Sequence, residues 1–133
     1  MSTIKKITVF NSDERGEIID IFTHEPKDHC TIVTFTKNAV RGNHFHKLSI
    51  QSAYVLEGSF EIHNVMINED SNFDPKKVEI IKSNKGDYIT HKKFEAHTYK
   101  CLSEKGSLIV FTKGVRGGKF YEDDTFRLKE NLI

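Results

Sequence analysis

Cysteine is scarce in this chain of 133 residues: Cys30 and Cys101 are the only two, far apart and without a CxxC pair. That usage argues against a structural disulfide and fits reduced thiols in the cytosol. Long apolar runs are missing as well. Stretches such as Leu108 to Phe111 cover only a few residues, where a membrane helix needs about 20. The opening Met1-Ser2-Thr3-Ile4-Lys5-Lys6 carries no apolar core and no small-residue cleavage site, so we expect no secretory leader, no membrane partner and a cytoplasmic protein. Charge of one sign is also lacking. Lys and Arg number 20 against 19 Asp and Glu, with a net charge of +1, which leaves no polycationic surface for nucleic acid.

Internal repeats, low-complexity tracts, linkers and long helical stripes are equally absent. What remains is a succession of short β-branched and aromatic runs: Ile4 to Phe10, Glu17 to Phe22, Thr31 to Lys37, Gln51 to Glu57, Ser59 to Met66, Val78 to Lys82, Ala96 to Leu102 and Ser107 to Thr112. Turn chemistry separates them, at Asn11 to Gly16, Glu57-Gly58, Asn68 to Pro75, Asn84-Lys85-Gly86 and Glu104-Lys105-Gly106. The pattern predicts one all-β domain over 1–133, an antiparallel sandwich or barrel whose interior holds one small ligand. The polar loop from Asn68 to Lys76 reads as an exposed excursion, and the tail from Gly114 to Ile133 as a segment crossing the outside of the barrel or a partner subunit.

Against this plain background the run Arg41-Gly42-Asn43-His44-Phe45-His46 stands out. Alternate side chains of an extended strand share one face, so His44 and His46 point together into whatever the strand encloses, and Phe45 points away. Two buried imidazoles cost stability unless a partner, a metal or a substrate compensates, which marks a functional site. His24, His29 and His63 lack such neighbours and read as surface or loop residues. Tyr54, Tyr88 and Phe60 read as core aromatics, and His91 as a candidate for the mouth of the barrel.

The spacing His44-x-His46, then Gln51, then Gly58 resembles the first motif of the cupin superfamily. Gly86 and His97 follow at the interval of the second. The resemblance implies a double-stranded β-helix, or cupin jelly roll. Within that superfamily, Arg41-Gly42, His44, His46-Lys47, Gln51 and Gly58-Ser59 resemble the nucleotide-sugar 3,4-ketoisomerases of deoxysugar biosynthesis, and Asp13-Glu14-Arg15-Gly16 resembles the start of the related 3,5-epimerases. These enzymes move the ketone of a nucleotide-linked, dTDP-type 4-keto-6-deoxyhexose from C4 to C3 through an enediol, or epimerise a similar sugar.

The resemblance implies that His44 and His46 are the catalytic pair, since groups with pKa near neutrality suit proton abstraction beside a carbonyl. Arg41 would hold a phosphate or stabilise enediolate charge, because guanidinium stays charged at every relevant pH. Gln51 would orient the sugar by hydrogen bonds, His97 and Tyr99 would wall the pocket from a shared strand face, and Arg15 would reach the phosphates. The homologous enzymes are dimers, which implies a homodimer. No cofactor is expected. Gln51 stands where metal-dependent cupins carry glutamate, and a neutral amide is a poor ligand for borderline divalent ions. A three-histidine metal site at His44, His46 and His97 is the alternative.

Overall fold

The computed structural model describes residues 2–68, 71–114 and 123–133. Among these residues the chain forms twelve strands and one 3-10 turn: β1 (Thr3–Lys6), β2 (Asn11–Asp13), β3 (Gly16–Ile18), β4 (His29–Thr36), β5 (Val40–Phe45), β6 (Ile50–Glu57), β7 (Ser59–Met66), β8 (Glu79–Asn84), β9 (Asp87–His91), β10 (Glu95–Cys101), β11 (Lys105–Lys113) and β12 (Phe126–Arg127). One five-stranded sheet runs β1-β9-β6-β11-β4, the other runs β12-β5-β10-β7-β8, and β2 pairs only with β3. Every pairing is antiparallel. This is the antiparallel sandwich that the pattern predicts, in the double-stranded β-helix form that the resemblance implies. No helix among the described residues is long and apolar enough to cross a membrane.

The main core lies between the sheets. Phe35, Ala53, Val55, Ile89 and Leu108 from the first meet Phe60, Ile62, Tyr99 and Cys101 from the second. Phe35 and Phe60 pack edge to face with centroids 4.9 Å apart, an arrangement that adds about 0.5–1.5 kcal/mol beyond burial. Because side chains alternate, the opposite face of the second sheet carries its own apolar cluster of Phe45, Val65, Ala96 and Leu128, with Phe126 and Leu132 packed against it. The end of the chain therefore crosses the outside of the sandwich, as expected, although 115–122 lie outside the described residues.

Several boundaries differ from the sequence reading. Ile4 to Phe10 is strand only as far as Lys6, and Glu17 to Phe22 only as far as Ile18. Three strands went unrecognised, β2, which was read as part of a turn, β9 and β12, while β5 was read as extended only through its histidine run. In β9 the sequence Asp87-Tyr88-Ile89-Thr90-His91 is buried at every position but Thr90, so the polar/apolar alternation that reveals a half-exposed strand is missing. The 3-10 turn at Pro75–Lys77 sits in the loop expected from Asn68 to Lys76, with the Asp74 side chain accepting from the Lys76 amide at its start.

Candidate active site

β5 positions the histidines, and it does so through an irregularity. Opposite β10, His44 pairs with His97 and Arg41 with Tyr99, yet two residues lie between His44 and Arg41 and only one between His97 and Tyr99. Asn43 is the additional residue, a β-bulge. Gly42 and Asn43 take positive φ of 119° and 54°, and the Thr98 hydroxyl locks the bulge by accepting from the Asn43 amide at 2.9 Å and donating to its Oδ1 at 2.8 Å. A Cβ on Gly42 would stand 2.5 Å from the His97 carbonyl oxygen, so only glycine fits. The bulge puts Arg41 and His44 on the same side despite their odd separation.

That side faces a cavity of about 630 Å³, lined by Arg41, His44, Gln51, His91, His97, Tyr99 and Arg127, with an apolar wall that includes Val33, Phe35, Leu108 and Val110. Its size falls in the range of small-molecule sites. Four of the imidazoles cluster here: His44 lies 4.9 Å from His46 and 4.8 Å from His97 between ring centroids, and His91 stacks on His97 at 4.2 Å. Arg41 reaches across the ring of Phe35 at the rim, 5.5 Å from its centroid.

Fixed donors and acceptors around the rings assign their protons. The Glu95 carbonyl can only accept, so Nδ1 of His97 donates to it at 3.2 Å and its Nε2 carries the lone pair. Nε2 of His44, 3.2 Å away, donates to that lone pair. Nδ1 of His44 is then free to accept from the guanidinium of Arg127 at 3.3 Å, so the three groups form one directed chain. Burial, and then the neighbouring imidazoles, push the pKa of His97 well below its ordinary 6.5 and keep it neutral.

His46 sits one layer behind His44 and does not itself line the cavity. Its Nδ1 donates to the Asp124 carbonyl at 2.7 Å, which leaves Nε2 as its exchanging atom, 3.0 Å from the Gln51 amide. An amide presents either an oxygen or an N–H to that nitrogen, so Gln51, also bonded to Thr112, serves both protonation states of His46. Asp124 is anchored through its carboxylate, which accepts from the amides of Lys47 and Leu48. Burial raises its pKa, but hydrogen bonds from Ser49 and those amides outweigh it and hold the group below 3.8.

Of the residues expected in the site, His44, Arg41, Gln51, His97 and Tyr99 line the cavity, and His46 touches it through Gln51. Arg15 does not. It lies on the turn between β2 and β3, exposed and paired with Asp13 at 2.7 Å. His24 is exposed, whereas His29 and His63 lie on strands, half-buried. His91 lines the cavity wall rather than only its mouth. Arg127 was missed altogether; it comes from the far end of the chain, and no spacing ties it to His44.

The donor set does not fit a divalent ion as it stands. Ligand atoms of His44, His46 and His97 do lie within 4.8 Å of one another, and the carbonyl bonds of His46 and His97 resemble the outer contacts that orient metal-binding imidazoles. His44 breaks the set: its Nδ1 faces a guanidinium, so its Nε2 bears a proton instead of a lone pair, beside a fixed positive charge.

Scanned against protein-family models and against curated sequences, the chain has no match. Solved structures do resemble it. The sugar 3,4-ketoisomerase QdtA from Thermoanaerobacterium thermosaccharolyticum, in complex with TDP, superposes with a TM-score of 0.75 at 19% identity, covering 96% of this chain and 88% of that one. A 3,4-ketoisomerase from Helicobacter canadensis gives 0.73 at 20% identity, over 95% of this chain and 90% of that one. The dTDP-6-deoxy-D-glucose-3,5-epimerase RmlC from Legionella pneumophila Philadelphia 1, in complex with dTDP-4-keto-L-rhamnose, gives 0.76 at 16% identity, over 95% and 71%. At these identities the likeness carries the fold alone, the jelly roll that these neighbours share.

Proposed function

We propose that the chain is an isomerase of nucleotide-linked 4-keto-6-deoxyhexoses, of the dTDP type, that moves the ketone from C4 to C3. The single observation that carries this reading is the imidazole cluster around His44, set beside Arg41 and Arg127 in a cavity of ligand size. Neighbours with this fold include a mutant of the 3,4-ketoisomerase QdtA in complex with TDP-4-keto-6-deoxyglucose and RmlC in complex with dTDP-4-keto-L-rhamnose.

The chemistry asks for two proton movements. The hydrogen on C3, acidified by the adjacent carbonyl, leaves to a base and returns at C4; its C–H electron pair becomes the π bond of an enediol. The proton on O3 must also leave while one arrives on O4. His44 and His46 are the pair for the carbon proton, His44 at the cavity surface and His46 behind it through Nε2. General acid–base catalysis of this kind contributes about 10²–10⁴-fold. Arg41 and Arg127 offset charge on the enediolate or on the diphosphate, and Gln51, His97 and Tyr99 shape the sugar subsite. No cofactor enters.

Incubation with thymidine-diphosphate-linked 4-keto-6-deoxyglucose in deuterated buffer, followed by NMR of the ring, tests the reading. A 3-ketone labelled at C4 is the expected product. Label at C3 or C5 with the 4-ketone retained would assign epimerase chemistry instead, and absence of exchange at every carbon overturns both.

The same reading includes a cytoplasmic homodimer. Both cysteines are free thiols, as a reducing compartment requires. Phe10 is 71% and Ile18 54% exposed at the β2–β3 hairpin, an apolar edge that a second copy would cover. Sedimentation of the wild type and of Phe10→Asp measures this directly: a monomeric wild type sinks the dimer.

A further inference from the structure

A second chain of hydrogen bonds ends on the same cavity. The Ser2 hydroxyl donates to Oε1 of Glu95 at 2.6 Å, since a carboxylate only accepts. Ser2 Oγ therefore accepts from Nδ1 of His91 at 2.7 Å, which leaves Nε2 of His91 to accept the hydroxyl proton of Tyr99 at 2.7 Å. Glu95 also takes the Lys92 amide at 3.2 Å, and its Oε1 lies 3.4 Å from His91 Nδ1. Every member is buried or half-buried, His91 and Tyr99 line the cavity, and they come from facing sheets, β9 and β10. A buried network of this sort, joined through Oε1 of Glu95, orients its members. It meets the first chain at His97, through the stacking of His91 on that ring, the edge of Tyr99 and the Glu95 carbonyl that accepts from its Nδ1.

We propose that Tyr99 is a catalytic residue for the second proton of the keto shift, its hydroxyl giving a proton to O4 and taking the proton of O3, with His91, Ser2 and Glu95 as the residues that position it. The proposal rests on the ketoisomerase reading above. The balance is complete without a further reagent. O4 gains one proton as its carbonyl π pair withdraws onto oxygen, O3 loses one as its lone pair forms the new carbonyl, and the phenol ends neutral. Nε2 of His91 holds the hydroxyl between turnovers and offers a lone pair as temporary store, with the Glu95 carboxylate behind it to balance the charge. Burial pushes the Tyr99 pKa upward, which favours hand-over of one proton for another over a free phenolate. Burial also raises Glu95, but the hydrogen bonds from His91 and Ser2 outweigh that and keep it below its ordinary 4.5.

Epimerisation needs no proton moved between oxygens, so carbon exchange and keto shift should separate. With the thymidine-diphosphate-linked 4-keto sugar in deuterated buffer, Tyr99→Phe is expected to retain deuterium exchange at C3 within about threefold while 3-ketone formation falls by about 10²-fold. Ser2→Ala, at the far end of the relay, should slow the shift by a smaller factor and, in ¹⁵N spectra of labelled histidine, move the His91 Nδ1 signal as its acceptor changes from the hydroxyl to Oε1 of Glu95, 3.4 Å away. Thermal melts of both variants confirm that they fold. Undiminished ketone formation in Tyr99→Phe overturns the proposal, and so does an equal loss of exchange and shift in a folded protein. A wild type that exchanges no ring hydrogen refutes the ketoisomerase reading itself, and an unmoved His91 signal in Ser2→Ala refutes the relay separately.

Discussion

The Nε2 atoms of His44 and His97 stand 3.2 Å apart with one proton between them. The Glu95 carbonyl and the Arg127 guanidinium, one at each outer nitrogen, decide that this proton belongs to His44. His44 thus meets the cavity as a neutral imidazole whose second nitrogen is already engaged, and its exchange with substrate passes through the nitrogens that Arg127 and His97 share with it.

Replacing the two strand histidines should separate chemistry from stability. His44→Asn, at a half-buried position, is expected to lower kcat by about 10²–10⁴-fold with a thermal midpoint near wild type. His46→Asn should lower kcat and also cost about 1–3 kcal/mol, because the buried Asp124 carbonyl and Gln51 amide lose their partner. Steady-state rates and denaturant titrations of both variants check this.

His97 makes stability depend on pH. In the unfolded chain it titrates near 6.5, and in the fold its pKa lies well below that, mainly through burial. Between the two values the unfolded state binds more protons, so the fold is fully favoured above 6.5 and loses stability as pH falls toward the folded value. Urea midpoints should drop from about pH 7.5 to about pH 5.5, and His97→Gln should flatten that slope. The depressed carboxyls of Glu95 and Asp124 add their losses only lower, below 4.5 and 3.8.

Gly42→Ala should damage both fold and rate. A positive φ of 119° and a Cβ 2.5 Å from the His97 carbonyl oxygen leave no room, and strain of this type costs about 1–3 kcal/mol. The β5–β10 register would shift to relieve it, moving Arg41 and His44 together. A lowered melting temperature accompanied by a loss of kcat/KM is the expected result.

Chelators should leave activity unchanged, because the Arg127 guanidinium donates to Nδ1 of His44 and so leaves the ring proton on the Nε2 that a metal would need. The double variant Gln51→Glu, Arg127→Ala supplies a carboxylate and removes the guanidinium; titration calorimetry with Ni²⁺ should then show affinity at least roughly tenfold above wild type.

The fold and the centre of the site were legible because both rest on local spacing. His44 on β5, His46 just past its end and His97 on the paired strand β10 face Gln51 on β6 of the opposite sheet; His44, His46 and Gln51 follow one another at short intervals, and His97 follows Gly86 at a motif interval. Arg127 and Asp124 were not legible, since they reach His44 and His46 from a segment that no motif connects to β5. Ser2 escaped for the same reason, as its link to His91 and Glu95 exists only once β1's start lies beside β9, and Glu95, four residues from His91, escaped because no motif marks it. Arg15 misled because a turn motif says nothing about where its hairpin points; here the guanidinium bonds its own neighbour, Asp13.

Asn43 works as a phase shifter in the β5 ribbon. Excising that one codon would restore strict alternation and still leave Arg41, His44 and His46 on one side, because Arg41 and His44 would then be two positions apart; ironing the bulge flat with Asn43 retained would instead send Arg41 outward, so anion capture is tied to proton handling by a single supernumerary residue.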